Sequence, residues 1–264
     1  MKWVVRNLRS MDSRQGSFWD HLEELRSVLL RVLAVVLCCT IIAFLLKEEL
    51  FEVVLAPLSS SFPTFRLLGV DAFHIHLVNT TLTEQFMTHM RVAFYVGLLC
   101  ASPYVIYLLF GFISPGLYQS ERRVAIRLVG SGYVMFVAGT LLNYFLIFPM
   151  TVRFLGTYSV SDDVTNMLTL QSYVDTLLMM SLMMGLVAEL PVVCGLLGRV
   201  GLLTADVMRR YRRHAVVAVL IISAIITPTT DAFTLFVVAL PVLLLYEISI
   251  LIVKYTKTNN DTTN

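Results

Sequence analysis

Long apolar runs alternate with short polar connections along this chain, and the basic residues favour every second connection. The N-terminal segment holds Lys2, Arg6, Arg9, Arg14, Arg26 and Arg31, and a second group is Arg122, Arg123 and Arg127. A third is Arg199, Arg209, Arg210, Arg212 and Arg213, and the last is Lys254 and Lys257. Together these are 16 of the 20 Lys and Arg residues, leaving Lys47, Arg66, Arg91 and Arg153 elsewhere. Hydrocarbon offers no partner to a backbone N–H or C=O, so runs of this kind must be helices that satisfy themselves. Basic connections stay on the cytoplasmic side, which predicts a multi-span protein with both termini cytoplasmic. The composition agrees: 57% of residues are hydrophobic and 14% charged, against about 25% charged in soluble domains. The net charge of +2 follows from topology and suits anionic lipid, so it argues for no nucleic-acid partner.

Six apolar stretches are expected as spans: 27–46, 92–112, 128–148, 176–197, 215–226 and 232–253. The first four have the roughly 20 residues a crossing needs. The fifth has 12 residues, about 18 Å of helix at roughly 1.5 Å per residue, and alone it reads equally as a buried or re-entrant helix. Counting it as a span keeps the arginines of 199–213 and the C-terminal lysines on the N-terminal side. The last two helices then form a short hairpin turning at 227–231, beside which the bilayer thins or the hairpin tilts. Pro103, Pro191 and Pro241 interrupt three runs and are expected to bend them. The 47–85 connection begins with Leu50, Phe51, Val54 and Leu55 opposite Glu48, Glu49 and Glu52, the pattern of an interfacial helix that Pro57 and Pro63 end. Residues 1–16 and 256–264 read as cytoplasmic tails flanking a membrane domain of 17–255, and the charged N-terminal segment shows no cleavable signal.

Few residues invite chemistry. Ser17 to Asp20 has the form of a helix start, and Asp20, Glu23 and Glu24 then share one helical side. That arrangement costs stability unless a cation binds, and it is equally the pattern of an exposed juxtamembrane helix. Glu121 beside Arg122 and Arg123 reads as a local ion pair or as a second carboxylate site. Two such sites on one membrane face could jointly hold paired guanidinium groups, because Arg makes planar bidentate bonds to carboxylate. Glu189, deep in the fourth run, is costly there and is a functional candidate, either protonated or facing a wet cavity. Glu247, nearer a helix end, is expected to snorkel. Met179, Met180, Met183 and Met184 read as packing or lipid-facing residues. Cys38, Cys39, Cys100 and Cys194 sit in apolar runs without metal-ligand spacing, and His74, His76 and His89 stand apart from acids, so neither metal nor cofactor is expected. No nucleotide-binding or hydrolase motif is present, which argues against an enzyme.

His21-Leu22-Glu23-Glu24-Leu25-Arg26, Ala56-Pro57-Leu58, Phe112-Ile113-Ser114-Pro115-Gly116-Leu117-Tyr118 with Glu121-Arg122-Arg123, Phe148-Pro149, Ala188-Glu189-Leu190-Pro191 and Thr227-Pro228 occur in this order. In that order they resemble the TatC family, the multi-span subunit of the twin-arginine protein translocase, from about residue 17 to 255. The resemblance implies an all-α integral membrane protein of six helices in a curved, glove-like bundle in the bacterial inner membrane. It implies a receptor for twin-arginine signal peptides of folded cargo, with Glu24 and Glu121 as contacting carboxylates and Leu25, Arg26, Arg122 and Arg123 shaping the surface. Glu189 corresponds to the family's intramembrane acid, and Asp231 retains the usual acid after the Thr-Pro element. Pro57, Phe112, Pro115, Pro149, Pro191 and Pro228 are structural motif positions. Single-span subunits of the TatA/TatB type are the implied partners, self-association is left open, and transport would draw on the proton-motive force. Leu108 and Leu235 stand where some members carry glutamine. The competing reading is a proton-coupled small-solute transporter using Glu189, whose folds often carry internal repeats; none is evident here. A scaffold that only recruits membrane helices leaves the acidic cytoplasmic pair unexplained.

Overall fold

The structure, a computed structural model, describes the backbone of residues 2–59, 62–67, 77–113, 119–158, 167–199, 201–227 and 231–261. Side chains at 2–21, 24, 67, 106–107, 109–113, 119–129, 199 and 256–261 are not described. Almost all of this backbone is helical, and contacts divide it into two compact units. Among the described residues, four helical stretches are long and apolar enough to cross a membrane: Leu25–Leu45, Gly130–Thr157, Leu170–Gly198 and Ala232–Tyr255.

The first unit comprises residues 1–45 and 94–129. Helix α1 spans Lys2–Leu45, so its backbone continues through the stretch read as a tail, and Ser17 lies inside the helix rather than at its start. Once a helix is nucleated, each added residue gains a bond for one residue fixed, so propagation past the apolar run is cheap. Val28, Val36 and Ala43 are buried along one stripe, whereas Leu29, Leu30, Leu33, Leu37, Ile41 and Ile42 are exposed. Exposed leucines are what lipid asks of a span, since hydrocarbon gives no hydrophobic drive to bury them. Helix α4, Glu84–Ile113, contributes its later turns to this unit. A Cβ at Gly97 would lie 2.5 Å from Thr40 Oγ1 and 2.7 Å from the Thr40 backbone, so only glycine allows that approach.

The second unit comprises residues 46–93 and 130–264. Helix α2, Lys47–Leu55, is amphipathic as its sequence predicts: Val54 is buried while Glu48, Glu49 and Glu52 are exposed. A 3-10 turn at Ala56–Leu58 with Pro57 buried closes it, and α3, Pro63–Leu67, follows with Phe65 buried. The two-residue strand β1, Leu77–Val78, pairs in parallel with β2, Leu168–Thr169. Tyr144 and Tyr173 donate their hydroxyls to the carbonyls of Val53 and Val54 at 2.7 and 2.8 Å, tying the end of α2 to the later helices.

Helix α5, Gln119–Leu142, does not stop before Pro149 as its sequence suggests. It passes through a π-helical turn, Asn143–Ile147, into α6, Phe148–Thr157. Pro149 has no N–H to continue an ordinary ladder, and it falls in the first turn of α6, where none is needed. The wider turn lets the Phe148 N–H reach Asn143 O, a local adjustment of a kind that sustains helices in membranes. Helices α7, Leu170–Ala188, and α8, Leu190–Arg199, form the next bent span. Then come α9, Ala205–Arg210, α10, Arg212–Ile226, and α11, Ala232–Asp261. Helix α11 packs chiefly against α8 and then α10. Met180 and Met184, one turn apart on α7, are fully buried, so half of the methionine patch is packing.

The seam between α5 and α7 is narrow. A Cβ at Gly139 would lie 2.5 Å from both the Ala188 Cβ and the Met184 carbonyl oxygen, whereas one at Gly130 meets nothing within 4 Å. Gly139→Leu should therefore lower the apparent melting temperature of the purified protein in detergent, by a loss of about 2 kcal/mol or more. Gly130→Ala should leave it unchanged or raise it slightly. Equal behaviour of the two variants in a thermal melt would contradict the seam.

Candidate functional site

Proline decides where Glu189, the acid of the fourth apolar run, sits. Pro191 cannot donate to Val187, so the ladder of α7 ends at Ala188, and Glu189 occupies the joint with φ −70° and ψ −15°. The Glu189 N–H turns back to Leu186 O at 3.2 Å, and the N–H groups of Val192 and Val193 both donate to Glu189 O at 3.0 Å. The break thus retains backbone bonds, and Pro191 itself is buried in the first turn of α8. The half-buried Glu189 carboxylate lies against Gly132 of α5, where an added Cβ would stand 3.0 Å from Oε2. Further along the seam, Asn143 Nδ2 donates to Ser181 Oγ at 2.9 Å inside the core. A carboxylate at a helix joint beside bare backbone can accept a hydrogen bond from an incoming polar chain or hold a proton.

The residues of the two acidic motifs are distributed over two helices. Glu24, Leu25 and Arg26 follow one another on α1; Leu25 and Arg26 are exposed, as is Glu23, and the Glu24 side chain lies outside the described residues. Glu121, Arg122 and Arg123 lie in the first turns of α5. Their side chains, and that of Phe112 in the last turn of α4, are outside the description, as are Ser114 to Tyr118 with Pro115, and Pro228. Asp231 starts α11: its Oδ1 accepts the Thr234 N–H at 2.7 Å, a capping bond. Pro57 and Pro149 are buried in helix-starting turns.

Three polar ties escape a linear reading. Arg91 Nη1 donates to both carboxylate oxygens of Asp175, at 2.6 and 2.5 Å. Glu247 is matched with Arg212, at 2.6 Å, rather than merely reaching toward water. These partners stand 84 and 35 positions apart, and nothing local in the sequence joins them. The third tie had a signal. Thr81-Leu82-Thr83-Glu84 has the form of a capping box, and buried Glu84 Oε2 accepts from Thr80 N at 2.7 Å, Thr80 Oγ1 at 3.0 Å and Thr81 N at 3.2 Å. Its Oε1 accepts the N–H of Gln171 at 2.9 Å, across to the start of α7.

These N–H donors, that of Gln171 first, hold the Glu84 carboxyl at about 2, below its ordinary 4.5. A carboxylate with a depressed folded-state value stabilises the fold above its ordinary range, and that contribution is lost as pH falls through the folded value. Glu84→Gln should therefore melt lower than the parent at pH 7, and the gap should narrow between pH 4.5 and about 2. A gap independent of pH across that window would show that the charge contributes nothing.

Comparison with known proteins places this geometry in a family. A family profile described as "TatC: Sec-independent protein translocase protein (TatC)" matches residues 20–241. The Sec-independent protein translocase protein TatC of Carboxydothermus hydrogenoformans is 30% identical over 247 residues, covering 94% of this chain and 96% of that one. TatC of Deinococcus radiodurans is 34% identical, covering 89% of this chain and 84% of that one, and TatCy of Bacillus subtilis is 32% identical, covering 92% and 91%. A crystal structure described as the twin-arginine translocase receptor TatC superposes with a TM-score of 0.71 at 30% identity, over 90% of this chain and 99% of that chain. A second, described as the same receptor in DDM, gives 0.71 at 31% identity over 89% and 99%. The chain belongs to the TatC family of Sec-independent protein translocase proteins.

Proposed function

We propose that this protein is the signal-receptor subunit of a twin-arginine translocase. The observation that carries the reading is family membership over residues 20–241, joined to likeness over 90% of the chain to a solved protein described as the translocase receptor. In this reading six helices cross the bacterial inner membrane as a curved bundle, with both termini, including the 1–16 and 256–264 segments, in the cytoplasm. The basic connections support that orientation. The carboxylates of Glu24 and Glu121 take the two signal-peptide guanidiniums as bidentate pairs, a geometry an ammonium cannot reproduce. Leu25, Arg26, Arg122 and Arg123 shape the surface, with Leu25 and Arg26 exposed on α1.

Glu189, held at the α7–α8 joint, then meets the inserted signal or a partner helix inside the membrane. Its half-burial and the bare Gly132 backbone beside it favour that use. Single-span subunits of the TatA/TatB type dock along the last two helices, where Asp231 caps α11, and the proton-motive force drives transport. Leu108 and Leu235 supply no polar contact to such partners. A proton-coupled solute carrier could also exploit an acid at a broken helix, but it gives the acidic cytoplasmic motifs nothing to bind.

Glu24→Ala and Glu121→Ala should each reduce photocrosslinking to a twin-arginine peptide by about tenfold or more, the loss of one charge-assisted bidentate pair, with insertion intact. Unaltered crosslinking in both rejects the receptor site. Glu189→Gln should keep the first cytoplasmic contact and lose deeper insertion or partner assembly. Loss of the first contact in that variant contradicts the division of labour.

A further inference from the structure

The corner between α9 and α10 carries four arginines in five residues, Arg209, Arg210, Arg212 and Arg213, followed by His214. It is folded backbone. Tyr211 joins the helices with φ −94° and ψ 10°, and its carbonyl accepts the N–H groups of His214 at 3.0 Å and Ala215 at 2.9 Å. Beneath it, Met208 is buried with Ile250 and Val253, and Tyr246 donates its hydroxyl to Met208 O at 2.8 Å. Arg212 is matched with Glu247. Arg209, Arg210, Arg213 and His214 are exposed and form no ion pair among the described residues, nor does exposed Asp206 one turn earlier. With Asp206 counted against them, the three guanidiniums still leave an excess of two positive charges. Leu202, Val207 and Tyr211 are exposed beside them.

Helix α10 has 15 residues, about 22 Å at roughly 1.5 Å per residue, well short of a hydrocarbon core of about 30 Å. If α10 crosses the membrane, as the six-span reading requires, its arginine end is drawn to the depth of the lipid phosphates rather than held out in water. Guanidinium groups bind phosphate in a planar, bidentate manner, and exposed Leu202, Val207 and Tyr211 offer the adjoining apolar contact.

We infer that the α9–α10 corner is a binding site for an anionic phospholipid of the cytoplasmic leaflet, its phosphodiester held by Arg209, Arg210 and Arg213. The inference rests on the proposed crossing of α10. Arg212, engaged with Glu247, fixes the corner and leaves the other three free to close on a headgroup. A lipid with two phosphates, such as cardiolipin, fits three guanidiniums better than one with a single phosphate.

The test is native mass spectrometry of the full chain after delipidation, titrated with cardiolipin, phosphatidylglycerol, phosphatidylcholine or inorganic phosphate. Cardiolipin should be retained in preference to phosphatidylglycerol, and neither phosphatidylcholine nor inorganic phosphate should be held or should compete. The triple variant R209Q/R210Q/R213Q should lose at least about tenfold in cardiolipin retention, whereas R66Q/R153Q should lose none. Equal losses in both variants, or retention of inorganic phosphate in place of lipid, would overturn the site. Should the triple variant fail to fold, a photoactivatable phosphatidylglycerol on the parent protein decides: labelling should fall within 202–214, and labelling elsewhere alone overturns the site. Separately, A232C on a cysteine-free background should react with an impermeant maleimide from outside the cell. Reaction only from the cytoplasmic side contradicts the crossing of α10, whereas lipid retention by a triple variant that keeps the outside reaction contradicts the lipid site alone.

Discussion

Every backbone N–H and C=O that enters hydrocarbon must find its partner within the protein, and the remaining features of this structure follow from how that demand is met where the helices are imperfect. Two breaks matter. At the π turn the Phe148 N–H reaches Asn143 O, so α5 runs on into α6 past a proline. At the α7–α8 joint the Glu189 carbonyl accepts two N–H groups, and the chain bends without stranding them. The second break is what brings a carboxylate to the α5 seam. Without Pro191 the fourth run would be an unbroken helix, and Glu189 would have no joint to occupy. Gly132, Gly139 and Gly185 then keep α5 near enough for the seam to close.

Polar side chains do a different task at the ends of the helices. Glu84 gathers four hydrogen bonds from two separate connections, and the short β1–β2 pairing lies alongside. Arg91 and Asp175, about two turns further along α4 and one turn further along α7 respectively, add an ion pair to the same union. At the opposite end of the chain Arg212 and Glu247 join α10 to α11. Each tie matches a charged group with a partner on another element.

Much of this was legible from residue order alone. The amphipathic α2, the proline-bent fourth run and the family motifs all depend on neighbours within a few positions, where periodicity and proline chemistry are informative. The third run extends beyond the limit its sequence suggests because Pro149 looks like a stop, and nothing in Asn143 to Phe148 announces the wider turn that admits it. Glu247 reads in sequence as a group reaching for water because its partner is 35 positions away. Thr81 and Glu84 have capping-box spacing, but beside a hydrophobic run a cap is the weaker signal. For the proposed signal site, sequence motifs carry more than geometry does, as the side chains of Glu24 and Glu121 lie outside the described residues.

We propose that carboxylates at the cytoplasmic face recognise guanidinium by shape as well as by charge. Purified protein in detergent, titrated with a fluorescent twin-arginine leader and with the same leader carrying Lys-Lys, measures that directly. The account predicts binding at least about tenfold weaker for the lysine form, because an ammonium forfeits the bidentate pair. Equal affinity for the two leaders would contradict it.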